Sequence, residues 1–313
     1  MEIRIGIDPL VDFAFKKVFA SAGNEVALIS LLNALLELPS PILKIQVLNP
    51  YNEKDFEDDK LSIVDLRAED SKGRIFSIEI QLTSQPGFMQ RATFYGCELY
   101  AGQLKDGDEY TDLKPVYTIC LYRGNLWPEQ TGYHHRFRFS DVKTGLELQD
   151  TVEIHMLELP KYNLAERQLA MASNKERWLF WLLHSHEYSS EQLVTIFPEL
   201  GMQKATQTLY AINHVTKDKQ MYDLRKKAQL DYNWGLSEAK KEGIEIGEAR
   251  GEARGEARGE TAGRRKELGK SIHFCQSILA LPQTTIGDLE KLGVEELDKL
   301  ATDLQSQVRG RAT

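Results

Sequence analysis

The apolar positions of the first hundred residues change their spacing several times, which predicts a mixed α/β region. Val11 to Phe19 and Val26 to Leu36 place apolar residues three and four apart, so each stretch predicts a helix. Asn24 stands directly before the second stretch and fits its N-cap. Ile42 to Leu48 follows a Pro-Ser-Pro break and predicts a short strand.

The next segment predicts a β-hairpin. Leu61 to Asp70 and Arg74 to Thr83 alternate apolar and polar residues, and the loop Ser71-Lys72-Gly73 suits a glycine in the left-handed conformation. The apolar face of this hairpin consists of Val64, Leu66, Ala68, Phe76, Ile78, Ile80 and Leu82. The polar face consists of Asp65, Arg67, Glu69, Ser77, Glu79 and Gln81. An acidic loop, Asn52 to Lys60, precedes the hairpin.

After the hairpin the pattern predicts one more helix and the remaining strands. Phe88 to Leu104 has helical spacing, and Pro115 to Tyr122 is a continuous apolar run typical of a buried strand. Arg136 to Phe139 and Val152 to Leu159 are predicted to add edge strands. From Leu164 onward the pattern is helical. The expected fold is therefore an α/β region followed by an all-helical half.

The helical half contains one very long candidate helix. Leu209 to Lys270 predicts a single helix with weak points, among them a repeat in which Gly-Glu-Ala-Arg occurs three times between Gly247 and Arg258. The pattern then predicts a helical piece at Ile272 to Leu281 and two short helices, Ile286 to Leu292 and Val294 to Leu304. The polar tail, Gln305 to Thr313, is predicted to be loose.

Composition and charge narrow the function classes. The 313 residues are 42% hydrophobic and 27% charged, as in a soluble globular protein, and the net charge of −8 excludes a globally basic nucleic-acid binder. Between Lys204 and Lys270, however, 15 Lys/Arg stand against 11 Asp/Glu, so a basic region is present. We see no signal peptide and no membrane span, and three widely spaced cysteines indicate reduced thiols, so we expect a cytoplasmic protein.

The loop length of the hairpin sets the cross-strand pairs of its polar face. A three-residue loop pairs Asp70 with Arg74, and counting back along both strands places Asp65 opposite Glu79, with Gln81 on the same face. Two opposed carboxylates repel unless a positive charge lies between them, and a divalent cation open to a phosphate is one solution. The alternative is a solvated polar face on which Arg67 bridges the acids.

The order of these elements resembles the PD-(D/E)XK nuclease fold, with an αβββαβ core. In detail the chain resembles the recombination-promoting nuclease (Rpn) family, whose members are also described as transposases. The resemblance covers roughly residues 8 to 185. The matching stretches are DPLVDFAFKKVFA, SLLNALL, IVDLRAED, IEIQL, RATFYGCELYAGQL, PVYTICLY and EIHMLELPKY, which begin at residues 8, 30, 63, 78, 91, 115 and 153.

The resemblance implies metal-dependent DNA cleavage. Asp65 and Glu79 match the metal-binding acids, with Mg²⁺ or another divalent cation such as Mn²⁺ or Ca²⁺ as cofactor. Gln81 occupies the position where the superfamily usually has lysine. Because an amide cannot act as a base, Gln81 is expected to orient a water or a phosphate oxygen.

Three further residues are candidates for the site. Two of them, Arg91 and Tyr95, share one helical face with Glu98. Arg91 is predicted to hold the scissile phosphate as part of the catalytic set, and Tyr95 is predicted to donate a hydrogen bond to substrate. Alternatively, Arg91 forms a structural pair with Glu98 or Asp65, and Tyr95 is a half-buried core ring. Lys16, in the first helix, is a candidate for contact with DNA, and the alternative is a solvated lysine.

Histidine and tryptophan pairs in the sequence do not predict further sites. His134-His135 and His184-x-His186 lack the spacing of a zinc site and are predicted to be loop or core residues. Trp178 and Trp181 stand among leucines and are predicted to belong to the core.

The Gly-Glu-Ala-Arg repeat places its charges on opposite flanks of a glycine seam. Each repeat advances a helix by about 400°, so Glu lies near +100° from Gly and Arg near −60°. In a parallel two-fold pair Glu therefore faces Arg, which favours a homo-oligomer. Glycine at every fourth position also disfavours an isolated helix, so a flexible linker is the alternative.

These observations define the expected domains and function. We expect a nuclease-like domain at residues 1–160, a helical region at 161–240, the repeat at 241–265 and a small helical region at 266–313. The leading hypothesis is a metal-dependent DNA endonuclease linked to recombination, mobile elements or defence. The alternative is a catalytically weak DNA-binding or oligomerising protein with the same fold.

Overall fold

The computed structural model describes residues 3–51, 66–82 and 87–311. The chain divides into two compact units, Met1–Asn233 and Trp234–Thr313. Within the described ranges, no single helix is both long and apolar enough to cross a membrane, and α1 (Asp12–Ala20) with α2 (Glu25–Leu36) meets those criteria only as a pair bent by 105°.

The first unit is built on a six-stranded mixed sheet. Its spatial order is β1-β2-β3-β4-β6-β5, and the pairs β3–β4 and β4–β6 are parallel while the others are antiparallel. The strands are β1 (Ile45–Val47), β2 (Leu66–Asp70), β3 (Ile75–Gln81), β4 (Val116–Tyr122), β5 (His134–Phe137) and β6 (Val152–Glu158). The expected α/β architecture with a helical C-terminal half is confirmed.

The hairpin of β2 and β3 has the register that the loop length predicts. The Asp70 N–H donates to the Arg74 carbonyl at 3.1 Å, and Gly73 adopts a left-handed φ of 77°. Leu66 lies opposite Ile78, as the count requires. The predicted pairing of Asp65 with Glu79, the acidic loop and the strand residues 61–65 and Thr83 lie outside the described residues.

Strand β6 is interior, not the edge strand that its sequence predicted. It lies between β4 and β5, although it carries the polar residues Glu153 and His155. Arg136 and Arg138 on the neighbouring β5 region form ion pairs with Glu153, and His155 is bound on both sides by His134 and Glu153. These cross-strand partners allow charged side chains to be buried, because each is matched by a hydrogen bond.

The two faces of the sheet are covered by different helices. The main core joins the even-numbered face of the hairpin, for example Ile78, to α1, α2 and later helices, and its largest rings include Trp178 and Trp181, as expected. The opposite face carries α3 (Phe88–Ala101), which packs on β4 and β6. The later helices are α4 (Asn174–His184), α5 (Ser190–Ile196), α6 (Leu200–His214) and α7 (Thr216–Leu279).

The long helix begins later and ends later than the sequence predicted. Val215 has an extended conformation, with φ −99° and ψ 111°, and separates α6 from α7. The start of α7 is fixed to the N-terminal segment: Arg225 forms an ion pair with Asp12, Lys17 forms one with Asp218 at 3.0 Å, and the Asp8 N–H donates to the Tyr222 hydroxyl at 2.9 Å.

The second unit has its own small apolar core. The end of α7 packs with α8 (Ile286–Lys291) and α9 (Val294–Arg311) around a core of Ile272, Cys275, Leu279, Leu289, Leu297, Ala301 and Leu304. The prediction of a loose tail from Gln305 is wrong. Leu304 and Val308 extend the apolar stripe of α9, and Arg311 donates to the Leu279 carbonyl at 3.1 Å.

Candidate active site

The polar face of β3 is buried rather than solvated. Ser77, Glu79 and Gln81 are each 4% exposed, although they alternate with the apolar residues that point to the main core. Helix α3 packs on this face of the sheet, against the neighbouring strands β4 and β6. It lies close to them, since a Cβ on Gly96 would meet Thr118 Oγ1 and Val152 Cγ1 at 3.0 Å. Glycine at this position therefore sets the distance between α3 and the sheet.

Arg91, in the first turns of α3, binds both candidate residues of β3. One guanidinium nitrogen, Nη2, donates to Gln81 Oε1 at 2.7 Å and forms an ion pair with Glu79 Oε1. The guanidinium also lies over the Phe88 ring, 5.6 Å from its centroid. Arg91 thus contacts two residues of β3 and also Phe88 of its own helix.

Two side-chain oxygens from β3 converge on a single cationic nitrogen. Glu79 Oε1 and Gln81 Oε1 are oxygen donors of the kind that hard divalent cations prefer, and the position between them already accommodates a positive charge. The two oxygens therefore form an environment that fits a cation, with Glu79 as its charged ligand. Asp65, the other expected metal ligand, lies outside the described residues. Among the described residues, no group of three or more His, Cys, Asp or Glu gathers as a metal cluster.

The other candidates occupy different environments. Tyr95 is half-buried on α3, with its ring edge-on to Phe94 at 5.5 Å. Lys16 is 5% exposed within α1, whereas Lys17 is paired with Asp218. Contact of Tyr95 and Lys16 with substrate stays a prediction, and for Lys16 it requires that its buried side chain become accessible.

A second polar cluster at the same end of the sheet has no counterpart in the sequence-based prediction. Glu158, the last residue of β6, is fully buried and accepts hydrogen bonds from Lys161 Nζ at 2.6 Å and from the Trp127 N–H at 3.2 Å. Burial alone raises the pKa of Glu158, but the bonds from Lys161 and from the N–H groups of Leu126 and Trp127 outweigh it, so the pKa is lowered. The sequence signal was an acid at the end of a buried strand with a lysine three residues later.

The histidines form hydrogen bonds within the sheet rather than a zinc site. His134 Nε2 and His155 Nδ1 lie 2.8 Å apart. Burial, together with the neighbouring His155, lowers the pKa of His134 to about 3, so that His134 is neutral at pH 7. His135 Nε2 lies 3.1 Å from Glu158 Oε2. His134 and His135 are therefore strand residues with structural partners.

The fold and the buried polar end of β3 define an α/β protein of the PD-(D/E)XK nuclease class. The model of the family described as PD-(D/E)XK nuclease family transposase matches residues 9–239, and the chain belongs to that family. The expected resemblance is thus confirmed. No curated protein matches the chain. No solved structure matches it either.

The Gln81–Arg91 contact predicts the effect of introducing lysine at position 81. Gln81→Lys places an ammonium against the guanidinium of Arg91 and removes an acceptor, so we expect a loss of about 1–3 kcal/mol in the free energy of unfolding. The double variant Gln81→Lys with Arg91→Gln again has one cation and one amide and should recover at least half of that loss. Urea denaturation of both variants measures this, and equal losses would show that the contact does not form in solution.

Proposed function

We propose that the protein is a metal-dependent DNA endonuclease that hydrolyses phosphodiester bonds at the end of β3. The observation that carries the proposal is the convergence of Glu79 Oε1 and Gln81 Oε1 on one cationic nitrogen, in a chain of a nuclease family. We propose that it acts in the cytoplasm, in recombination, mobile-element movement or defence.

In this mechanism each side chain has a separate task. Glu79, with Asp65, would hold the divalent cation, Mg²⁺ or a substitute such as Mn²⁺ or Ca²⁺, which would supply positive charge and lower the pKa of a water. Gln81 orients a water or a phosphate oxygen through its amide, and it takes no proton. Arg91, within hydrogen-bond distance of both β3 residues, places its guanidinium opposite the negative charge that develops on the phosphate.

The test is cleavage of supercoiled plasmid by purified protein. Separate reactions contain Mg²⁺, Mn²⁺, Ca²⁺ or EDTA, and gel electrophoresis resolves nicked and linear products. Cleavage that requires a divalent cation and stops with EDTA supports the proposal. Absence of cleavage in every cation, from protein shown to be folded by circular dichroism, contradicts it.

A second candidate function is DNA binding without cleavage. The observation that favours it is the ion pair between Arg91 and Glu79, because a carboxylate already satisfied by a guanidinium has less to offer a cation. A shift of fluorescent DNA in EDTA together with no product in any cation identifies this function.

We also propose that the protein assembles through the Gly-Glu-Ala-Arg repeat as a parallel pair. The repeat lies within α7, and all residues from Gly247 to Gly263 are exposed. A Cβ on any glycine of this stretch would meet nothing within 4 Å. The seam is therefore open to a second copy. Since Glu and Arg lie on opposite flanks, a two-fold parallel pair matches opposite charges.

Charge reversal tests the parallel pairing. Changing Arg250, Arg254 and Arg258 to Glu puts acids on both flanks, so the variant should not self-associate through the repeat. The matched variant, with Glu248, Glu252 and Glu256 changed to Arg, should also fail alone, and a mixture of the two should restore association. Analytical ultracentrifugation measures all three samples. If wild type and variants have the same oligomeric state, the repeat does not mediate assembly.

A further inference from the structure

Three aromatic rings form a cluster at the edge of the sheet that the proposed mechanism does not use. The Trp127 ring contacts His135 with centroids 4.8 Å apart and Phe137 with centroids 5.5 Å apart. Phe137 is 43% exposed, and Trp127 and His135 are partly exposed. The rings are therefore in contact with one another and also accessible from solvent.

The backbone of Trp127 is held on both sides by a buried ion pair. Glu158 accepts a hydrogen bond from the Trp127 N–H at 3.2 Å, and Lys161 Nζ donates to the Trp127 carbonyl at 2.7 Å. Glu158 also contacts His135, so the same carboxylate fixes two of the three rings. Burying a charge is costly, and here the bonds it makes hold a partly exposed tryptophan in place.

The loop that carries Trp127 leaves β4 through Gly124, and any other residue at this position would require the Tyr122 ring to move. A Cβ on Gly124 would lie 2.5–2.6 Å from atoms of the Tyr122 ring, which itself stacks on Phe88 at 5.4 Å. The loop begins beside the candidate site, because the Arg123 N–H donates to the Gln81 carbonyl at 2.9 Å. One short loop therefore connects the candidate site with the aromatic cluster.

The cluster and the candidate site lie on the same face of the sheet. Glu79, Cys120, Met156 and His135 are in register across β3, β4, β6 and β5. Directly paired residues point to the same face, and three strand spacings amount to about 14 Å. That distance corresponds to about four stacked base steps of a nucleic-acid strand.

We propose that Trp127, His135 and Phe137 stack the unpaired bases of a nucleic-acid strand that passes Glu79. The inference rests on the proposed function and specifies its substrate as single-stranded, or locally unpaired. Each stacked base contributes about 1–3 kcal/mol, which acts against the repulsion between a nucleic-acid strand and a protein with a net charge of −8. A duplex hides the flat faces of its bases, so it cannot use these rings.

A binding assay in EDTA, in which a metal-dependent nuclease cannot cut, tests this inference separately from the nuclease assignment. In EDTA, fluorescence anisotropy compares labelled dT20, U20 and a 20-base-pair duplex at low salt. Trp127→Ala should weaken binding of the single strands by about 5- to 150-fold for one lost stack, and leave the duplex nearly unchanged. Trp127→Phe should retain most of the affinity, since it keeps a ring. A comparison of dT20 with U20 shows whether the strand is DNA or RNA.

The matched control is Trp234→Ala, which removes a tryptophan that is 70% exposed on α7. It should leave single-strand affinity unchanged. Thermal unfolding checks whether Trp127→Ala is folded. If it is not folded, Trp127→Phe is the variant whose single-strand affinity is compared with wild type. The inference is overturned if Trp127→Phe binds as poorly as Trp127→Ala, if both tryptophan sites have equal effects, or if wild type prefers the duplex. Single-strand binding in EDTA together with no cleavage in any divalent cation refutes the nuclease assignment and leaves the stacking site standing.

Discussion

Replacing Glu79 by alanine is expected to reduce cation-dependent plasmid cleavage at least about 100-fold, because the variant lacks a charged cation ligand at the end of β3. Asp65→Ala should have the same effect, since Asp65 is the expected second acid. The assay is the initial rate of loss of supercoiled plasmid in Mg²⁺ and in Mn²⁺. Unchanged cleavage by either variant would remove the catalytic assignment from this pair.

The matched control for Glu79→Ala is Glu69→Ala, which removes an exposed glutamate from the same face of the β2–β3 hairpin. Its cleavage rate should equal that of wild type.

The two variants are also expected to differ in their free energy of unfolding. An acidic pair without a counter-charge becomes more stable when one acid is lost, but Glu79 is paired with Arg91. Glu79→Ala should therefore lose about 1–3 kcal/mol in the free energy of unfolding.

Replacing Glu158 by alanine is expected to lower the free energy of unfolding by about 3–5 kcal/mol at pH 7, which is the usual effect of removing one partner of a buried ion pair. The change leaves Lys161, only 10% exposed, without this carboxylate, together with the Trp127 N–H. Glu129→Ala, an exposed position in the same loop, should change stability by less than about 0.5 kcal/mol. Urea unfolding of both variants measures the difference.

The stability difference between wild type and Glu158→Ala should shrink in acid. The pKa of Glu158 in the folded protein is below its ordinary value of 4.5. The charge therefore contributes its full stabilisation above pH 4.5, and the contribution is lost as the pH falls through the lower, folded-state pKa. Unfolding measured between pH 7 and pH 3 tests this. A difference that grows on acidification would contradict the assignment of the shift.

The sequence predicted best those features that depend on local periodicity. Alternation and the three-residue loop fixed the register of β2 and β3, because shifting a strand by one residue would expose Ile78 and its neighbours. The apolar run at Pro115 to Tyr122 likewise identified a central strand. Membership of the family followed from several such segments in order.

The features that were missed depend on contacts between distant side chains. The position of β6 inside the sheet depends on Arg136 and Arg138 of the β5 region neutralising Glu153, which periodicity does not reveal. The ion pair of Arg91 with Glu79 joins a helix to a strand, whereas the sequence predicted a phosphate contact or, alternatively, a pair with Glu98 or Asp65. The aromatic cluster depends on Glu158 and Lys161, whose sequence positions give no indication of a contact with Trp127.

The ion pair between Asp12 and Arg225 has a consequence for the order in which the chain folds. Its two residues are separated by 213 positions, and the bond from Asp8 to Tyr222 spans a similar distance. During synthesis α1 emerges first, but its charged partner leaves the ribosome only after the whole sheet has been made. Contacts between such distant residues slow folding. A nascent chain that has been synthesised only to the end of the sheet therefore lacks the contacts of Asp8 and Asp12 with α7. Until α7 has been synthesised, this chain is prone to aggregation.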